Sequence, residues 1–122
     1  MSRRTRQRDA ILSAFQHADR PLSPAELRAL AGRSVPSLGI ATVYRNVKAL
    51  LDDGTLRAVN VPGQPDRYEL AGKQHHHHFH CRACDGVFEV AACPGGLAAL
   101  APDGFHTEHH EIVLFGLCSQ CA

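Results

Sequence analysis

Two short cysteine pairs constrain this chain more than any other feature. Cys81-Arg-Ala-Cys84 and Cys118-Ser-Gln-Cys121 are both C-x-x-C motifs, with first cysteines 37 positions apart. Each such knuckle presents two thiolates to a tetrahedral ion at ~2.3 Å, and two knuckles fill its coordination sphere. Zn²⁺ suits four soft thiolates in that geometry and brings no redox chemistry. A closed Cys₄ site has no open position, so it is structural rather than catalytic. It would staple the end of the chain to the middle of a C-terminal half too small to bury much core alone. The competing reading, unrelated thiol pairs or redox dithiols, fits one such motif better than two in so short a chain.

A fifth cysteine, Cys93, makes the count odd. With no signal-peptide pattern at the N-terminus, that argues against a disulfide framework and for a cytoplasmic protein. Apolar runs such as Ile112–Phe115 fall far short of the roughly 18 residues of a transmembrane helix, so no membrane partner is expected.

Charge is divided along the chain. Residues 1–58 carry ten Arg/Lys against five acids, and residues 59–122 carry three against seven. All five cysteines and eight of the nine histidines lie in the acidic part. A basic half points to a polyanion partner, and a Cys/His-rich half points to metal.

The basic half reads as three helices and a hairpin. Thr5 to about Ala18 carries an apolar stripe of Ile11, Leu12 and Phe15, with Arg4, Arg6 and Arg8 near its start. Ser23-Pro24-Ala25-Glu26 is a capping box with proline at the first helical position, and Gly32 is expected to end that helix in a left-handed conformation. After a loop over 34–39, Ile40–Leu51 forms a third helix with Ile40, Val43, Val47, Leu50 and Leu51 on one side. Arg45 points nearly opposite that stripe, Thr42 and Lys48 flank it, and Tyr44 sits at its edge. Gly54 closes the helix, and 55–60 with 66–70 make a hairpin around Pro62-Gly63-Gln64-Pro65. This order is that of a winged helix-turn-helix.

Residues 71–74 form a hinge, which divides the chain into a winged-helix domain (1–70) and a small metal-binding α/β domain (75–122). The expected strands of the second are 75–80, 87–90 and 111–117, with a helix over 94–100. The fold class is therefore α+β. His75, His76, His77, His78 and His80 share one strand, whose side chains alternate faces. His76, His78 and His80 point one way and His75 and His77 the other, so one strand can feed two metal sites. Candidates to complete them are Glu69, Glu89, Cys93, Glu108, His110 and Glu111. The alternative is a solvated histidine run.

Ile40-Ala41-Thr42-Val43-Tyr44-Arg45-Asn46-Val47, His75–His78 and the two C-x-x-C motifs together resemble the ferric uptake regulator family over nearly the whole chain. The resemblance implies a dimeric, metal-sensing transcriptional repressor that binds double-stranded operator DNA. It implies that Cys81, Cys84, Cys118 and Cys121 hold structural Zn²⁺. Glu69, His76, His78 and Glu89 match a hinge-side regulatory site for Zn²⁺ or Fe²⁺. His77 and His110 match a second site in the dimerisation domain, with His75 on the same strand face and Cys93 the candidate for its missing ligand. Tyr44 and Arg45 match base-contacting positions, and Arg3, followed by Arg4, falls where the family places a basic residue in the minor groove.

The sequence departs from the family pattern in three places. Arg20-Pro21-Leu22 stands where iron and peroxide sensors usually supply a histidine. The carboxylate usual after the second dimerisation-domain strand is absent, and Cys93 and Pro94 sit nearby. His77 replaces an aspartate common in those sensors. Exchanging oxygen for nitrogen and sulfur favours Zn²⁺ over Fe²⁺. The zinc-uptake branch often has a cysteine at the hinge-side site, however, and residues 59–74 contain none. Two other function classes meet parts of the pattern. A zinc-dependent hydrolytic enzyme could use His76 and His78 with a carboxylate as general base, but the chain has no H-E-x-x-H and its basic half would go unexplained. A metal-storage or trafficking protein would explain the histidines but not Tyr44-Arg45 on an outer helix face.

Overall fold

A serine starts the first helix. In the computed structural model, which describes residues 2–122, the Ser2 side chain accepts from the Thr5 N–H at 3.1 Å and α1 runs Arg3–Ala18. It begins before the expected Thr5 because the cap, not the apolar stripe, fixes the start. Helix α2 spans Pro24–Ala31 with the capping box formed: the Glu26 N–H donates to Ser23 Oγ at 3.1 Å and the Ser23 N–H donates to Glu26 Oε1 at 3.0 Å. Gly32 does not take the expected left-handed conformation; its φ is −63°. The glycine answers a close approach instead, since a Cβ there would meet the Arg28 carbonyl oxygen at 2.7 Å. Gly32→Ala is therefore expected to cost about 1–3 kcal/mol of stability, read by urea denaturation.

Helix α3, Ile40–Asp52, buries Val43, Val47 and Leu50. Ile40, expected on the same stripe, is 38% exposed because it belongs to the helix's first turn, beyond the core. Gly54, at φ 82°, ends the helix. Strands β1 (Leu56–Val59) and β2 (Arg67–Leu70) pair antiparallel with Leu56 opposite Leu70. Leu22 exchanges backbone hydrogen bonds with Tyr68 at 2.9 and 3.0 Å, which ties the loop before α2 to this hairpin. The core joins Ile11 and Phe15 of α1, Leu27 of α2, the buried stripe of α3, and Leu56. These elements make one compact unit that ends at Lys73; a second spans Gln74–Ala122, and the chain as a whole is α+β.

The second unit is a three-stranded sheet in the order β4-β3-β5. Strand β3 (His77–Cys81) runs antiparallel to β4 (Val87–Val90) and parallel to β5 (Val113–Gly116). Both β3 and β5 are shorter than the patterning suggests, and His75 and His76 lie just ahead of β3. The helix expected over 94–100 does not form. Gly95 and Gly96 take φ of 70° and 66°, which a right-handed helix cannot accommodate, and only a 3₁₀ turn, Leu97–Leu100, follows. Among the described residues of this unit, the buried apolar side chains are Cys81 and Val87.

Candidate metal centres and nucleic-acid interface

Strand β3 carries one cluster of potential ligands at each end, and the sheet topology explains why. Because β4 is antiparallel and β5 parallel, the turn into β4 and the exit from β5 meet at the C-terminal end of β3. Cys81 pairs with Gly116, so Cys118 lies just beyond it, while Cys84 lies in the β3–β4 turn. A Cβ at Gly86 would lie 2.9 Å from the Phe88 ring and 3.3 Å from Cys84 Sγ, so the turn needs a glycine to hold the thiol where it is. The Cys81, Cys84, Cys118 and Cys121 sulfurs lie within 4.8 Å of one another, with Cys84 and Cys118 3.9 Å apart. Zn–S bonds of 2.3 Å at tetrahedral angles put sulfurs about 3.8 Å apart, so the donor set fits one Zn²⁺. Backbone N–H groups of Cys84 and Cys118 draw the Cys81 thiol down to about 6, whereas the Cys118 thiol and its neighbours push Cys121 up to about 12.

The exit from β4 and the entry to β5 meet at the other end of β3. His77 pairs with Val90 and His78 with Val113, which brings Cys93 and His110 to His75 and His77. The Nε2 of His75 is 3.2 Å from that of His77 and 3.2 Å from that of His110, and His110 Nε2 is 3.3 Å from Cys93 Sγ. The four donor atoms lie within 4.8 Å of one another. Burial, reinforced by the surrounding imidazoles, pulls the His77 pKa down and keeps the ring neutral, as a ligand must be. Its Nδ1 accepts from the Ile112 N–H at 3.1 Å, so the neutral ring in this arrangement holds its proton on Nε2. For the neutral ring to hold an ion through Nε2, the proton would have to sit on Nδ1 and the Ile112 contact would give way.

His76 and His78 turn to the opposite face, their ring centroids 4.8 Å apart. Glu89 is opposite His78 in the register, and its carboxylate is 3.8 Å from His76 Nε2. His76 donates from Nδ1 to the Gln74 carbonyl at 2.7 Å, which fixes the tautomer that leaves Nε2 open as a donor atom. Glu69 lies on β2 of the first unit, 3.6 Å from Arg57. His80 is buried against Phe115, 3.3 Å from Asp85, and joins neither histidine cluster. His17 is exposed on α1 and hydrogen-bonds Ser13. Glu108 and Glu111 belong to none of the ligand clusters among the described residues.

In the first unit, α1 and α3 border an open groove of about 480 Å³. Arg4, Thr42 and Arg45 line it, together with Arg8, Gln7 and Asn46, which sequence reasoning did not select. Their signal was available: Arg4 and Arg8 are four residues apart on one helix and share a face. Arg45 donates to Thr42 Oγ1 at 2.9 Å, and Tyr44 is 55% exposed. Lys48 is engaged with Asp52 at 3.1 Å, and Arg8 with Asp53 at 3.6 Å. Arg3 is exposed at the start of α1 but does not line the groove.

A sequence model of the ferric uptake regulator family matches residues 2–115. The ferric uptake regulation protein of Campylobacter jejuni is 32% identical over 122 residues, covering 96% of this chain and 78% of that protein. The zinc uptake regulation protein of Mycobacterium tuberculosis is also 32% identical, covering 98% and 94%. Among solved structures, a zinc-bound manganese uptake regulator superposes with a TM-score of 0.80 at 24% identity, covering 97% of this chain and 89% of that one. At that identity it speaks for the fold alone. Since the family's sequence pattern runs through both units and reaches β5, the chain belongs to the ferric uptake regulator family.

Proposed function

We propose that this protein is a metal-responsive transcriptional repressor of metal-homeostasis genes, acting in the cytoplasm as a metal-loaded homodimer on double-stranded operator DNA. The family is one of transcriptional regulators, not enzymes, which removes the hydrolase reading. The observation that carries the proposal is the pairing, in one chain, of a basic groove bordered by an outward-facing Thr42-Tyr44-Arg45 helix face with two four-residue clusters of metal-ligand side chains in the second unit. A storage protein has no use for the first. No described helix is long and apolar enough to cross a membrane.

In this reading the first unit is a winged helix-turn-helix: α2 and α3 are the helix-turn-helix, α3 enters the major groove, and β1–β2 is the wing. Arg45 and Tyr44 read base edges, Arg3, followed by Arg4, reaches the minor groove, and Thr42 and Lys48 on the flanks of α3 also contact the DNA. The Cys tetrad holds structural Zn²⁺. His76, His78 and Glu89, with Glu69 from β2, hold the regulatory Zn²⁺ or Fe²⁺, as the resemblance implies. The edge strand β5, with Leu114 47% and Phe115 58% exposed, supports dimerisation through the second unit.

The test is an electrophoretic shift with palindromic AT-rich DNA, with and without added Zn²⁺ or Fe²⁺. Metal should strengthen binding, and a protein that bound equally well after chelation would refute the reading. Arg45→Ala should weaken specific binding by about 1–3 kcal/mol and relax base choice. Removing Arg3 and Arg4 should instead weaken binding to all sequences alike and flatten its salt dependence. A titration series against single-base operator variants at several salt concentrations separates the two effects.

A further inference from the structure

We propose that Cys93 is a metal ligand, completing with His75, His77 and His110 a His₃Cys site whose thiolate selects Zn²⁺ over the harder Fe²⁺ and Mn²⁺. The inference deepens the metalloregulator reading and rests on it only in taking the second unit to be metal-loaded. Three observations carry it. The first is spacing. Zn–N bonds near 2.0–2.1 Å and Zn–S bonds near 2.3 Å at tetrahedral angles put nitrogens about 3.3 Å apart and nitrogen about 3.6 Å from sulfur. Three of the separations are 3.2, 3.2 and 3.3 Å, the last between His110 Nε2 and Cys93 Sγ, and all four donor atoms lie within 4.8 Å of one another.

The second is chemistry. No carboxylate is among these four donors, so the site offers nitrogen and sulfur alone. Imidazole and thiolate suit Zn²⁺, whereas Mn²⁺ needs oxygen donors, and Zn²⁺ already outranks Fe²⁺ and Mn²⁺ for a given nitrogen or sulfur set. The third is placement. The two left-handed glycines, Gly95 and Gly96, follow Cys93 and Pro94 at once and stop a helix from forming there. The chain leaving β4 is thus in no helix at residue 93, beside the N-terminal end of β3. Cys93 is half-buried at that point, not carried off on a helix face.

Cobalt spectroscopy tests this without reference to DNA. The 122-residue protein is prepared with one Zn²⁺ per chain in the cysteine tetrad, confirmed by metal analysis, and titrated with Co²⁺. With the other four cysteines occupied, an intense near-ultraviolet sulfur-to-cobalt charge-transfer band can come only from Cys93. It should saturate with zinc retained and with no more than two Co²⁺ bound per chain, since the His76–His78 face can take a second ion, and Zn²⁺ added later should abolish it. Cys93→Ser should lose the band, keep the tetrad zinc, and bind Zn²⁺ at this site more than about 100-fold more weakly, beyond the 10–100-fold cost of losing a merely supporting group. His110→Ala should lose the same band with Cys93 still present. Cys93→Asp should bind without the band and raise the affinity for Mn²⁺ relative to Zn²⁺.

Absence of the band in the wild-type protein, its survival in Cys93→Ser, or its appearance only as zinc leaves the tetrad would each overturn the assignment. A band that behaves as expected in a protein whose DNA binding ignores metal would leave this site standing and remove the regulator reading.

Discussion

Replacing Cys118 by serine is expected to release the structural Zn²⁺ and, with it, the fold of the second unit and the dimer. The expectation follows from how little else holds that unit together. The first unit has a core drawn from all three helices and the hairpin. Beyond Lys73 the buried apolar side chains among the described residues are Cys81 and Val87, and the other buried groups are histidines. A sheet of three short strands with so small a core does not hold itself against chain entropy. Zn²⁺ bound by a tetrad of this kind contributes an apparent ~10–16 kcal/mol in small zinc domains, far more than the apolar burial available here. Serine offers no thiolate, and three remaining sulfurs leave the ion exposed to exchange. Zinc content and sedimentation should therefore fall together, while the helical signal of the first unit persists. A Cys118→Ser protein that kept one Zn²⁺ per chain in the tetrad and stayed dimeric would show the assignment to be wrong. Acid should have the same effect as the mutation. With Cys121 held up at about 12, zinc uptake has to expel protons, so affinity falls as pH falls. Below about 6 the Cys81 thiolate is protonated too, and the loss steepens.

What was legible in the sequence follows a physical division. The two C-x-x-C pairs and the alternation of the histidine strand depend only on local spacing and a period of two, and the structure has the four sulfurs together and the histidines on opposite faces. The capping box at Ser23–Glu26 is likewise local. Three features were not legible because they depend on tertiary geometry. Gly32 carries a signal for a left-handed cap, but the approach of the Arg28 carbonyl is what requires a glycine there. Pro94–Leu100 has the composition of a helix, and two glycines override it. Arg8 joins Arg4 and Arg45 at one groove only because α1 packs across α3. The grouping of His75, His77, Cys93 and His110 is anticipated by the family resemblance, not by local spacing: nothing local links Cys93 and His110, 17 positions apart, and the mixed β4-β3-β5 order brings both to one end of β3.

His78→Ala should yield a protein that keeps its tetrad zinc and its dimer but no longer gains DNA affinity when metal is added. His78 is the central strand's contribution to the regulatory face: it pairs with Glu89 on one side and Val113 on the other, and its ring stands 4.8 Å from that of His76. Removing one imidazole from so small a donor set takes away most of the ion's affinity, while the tetrad at the far end of β3 shares no ligand with it. The proposed switch needs differential binding, since a ligand shifts a conformational equilibrium only by the difference in its affinity for the two states. If the ion takes Glu69 of β2 as well as His76 and His78, as the resemblance implies, it is bound fully only in arrangements where both units contribute. Metal occupancy then selects the DNA-competent arrangement. Coupling of this kind is commonly worth 1–3 kcal/mol, about 5–150-fold in affinity, and that is the gain His78→Ala should forfeit. Glu69→Gln separates the two halves of the argument. It should also abolish the metal-dependent gain, yet leave His76, His78 and Glu89 able to bind the ion more weakly. Paired titrations of metal binding and operator binding read both quantities. Should His78→Ala respond to metal as strongly as the wild-type protein, the sensor is not on this face of β3, and the site at Cys93 becomes the place to look for it.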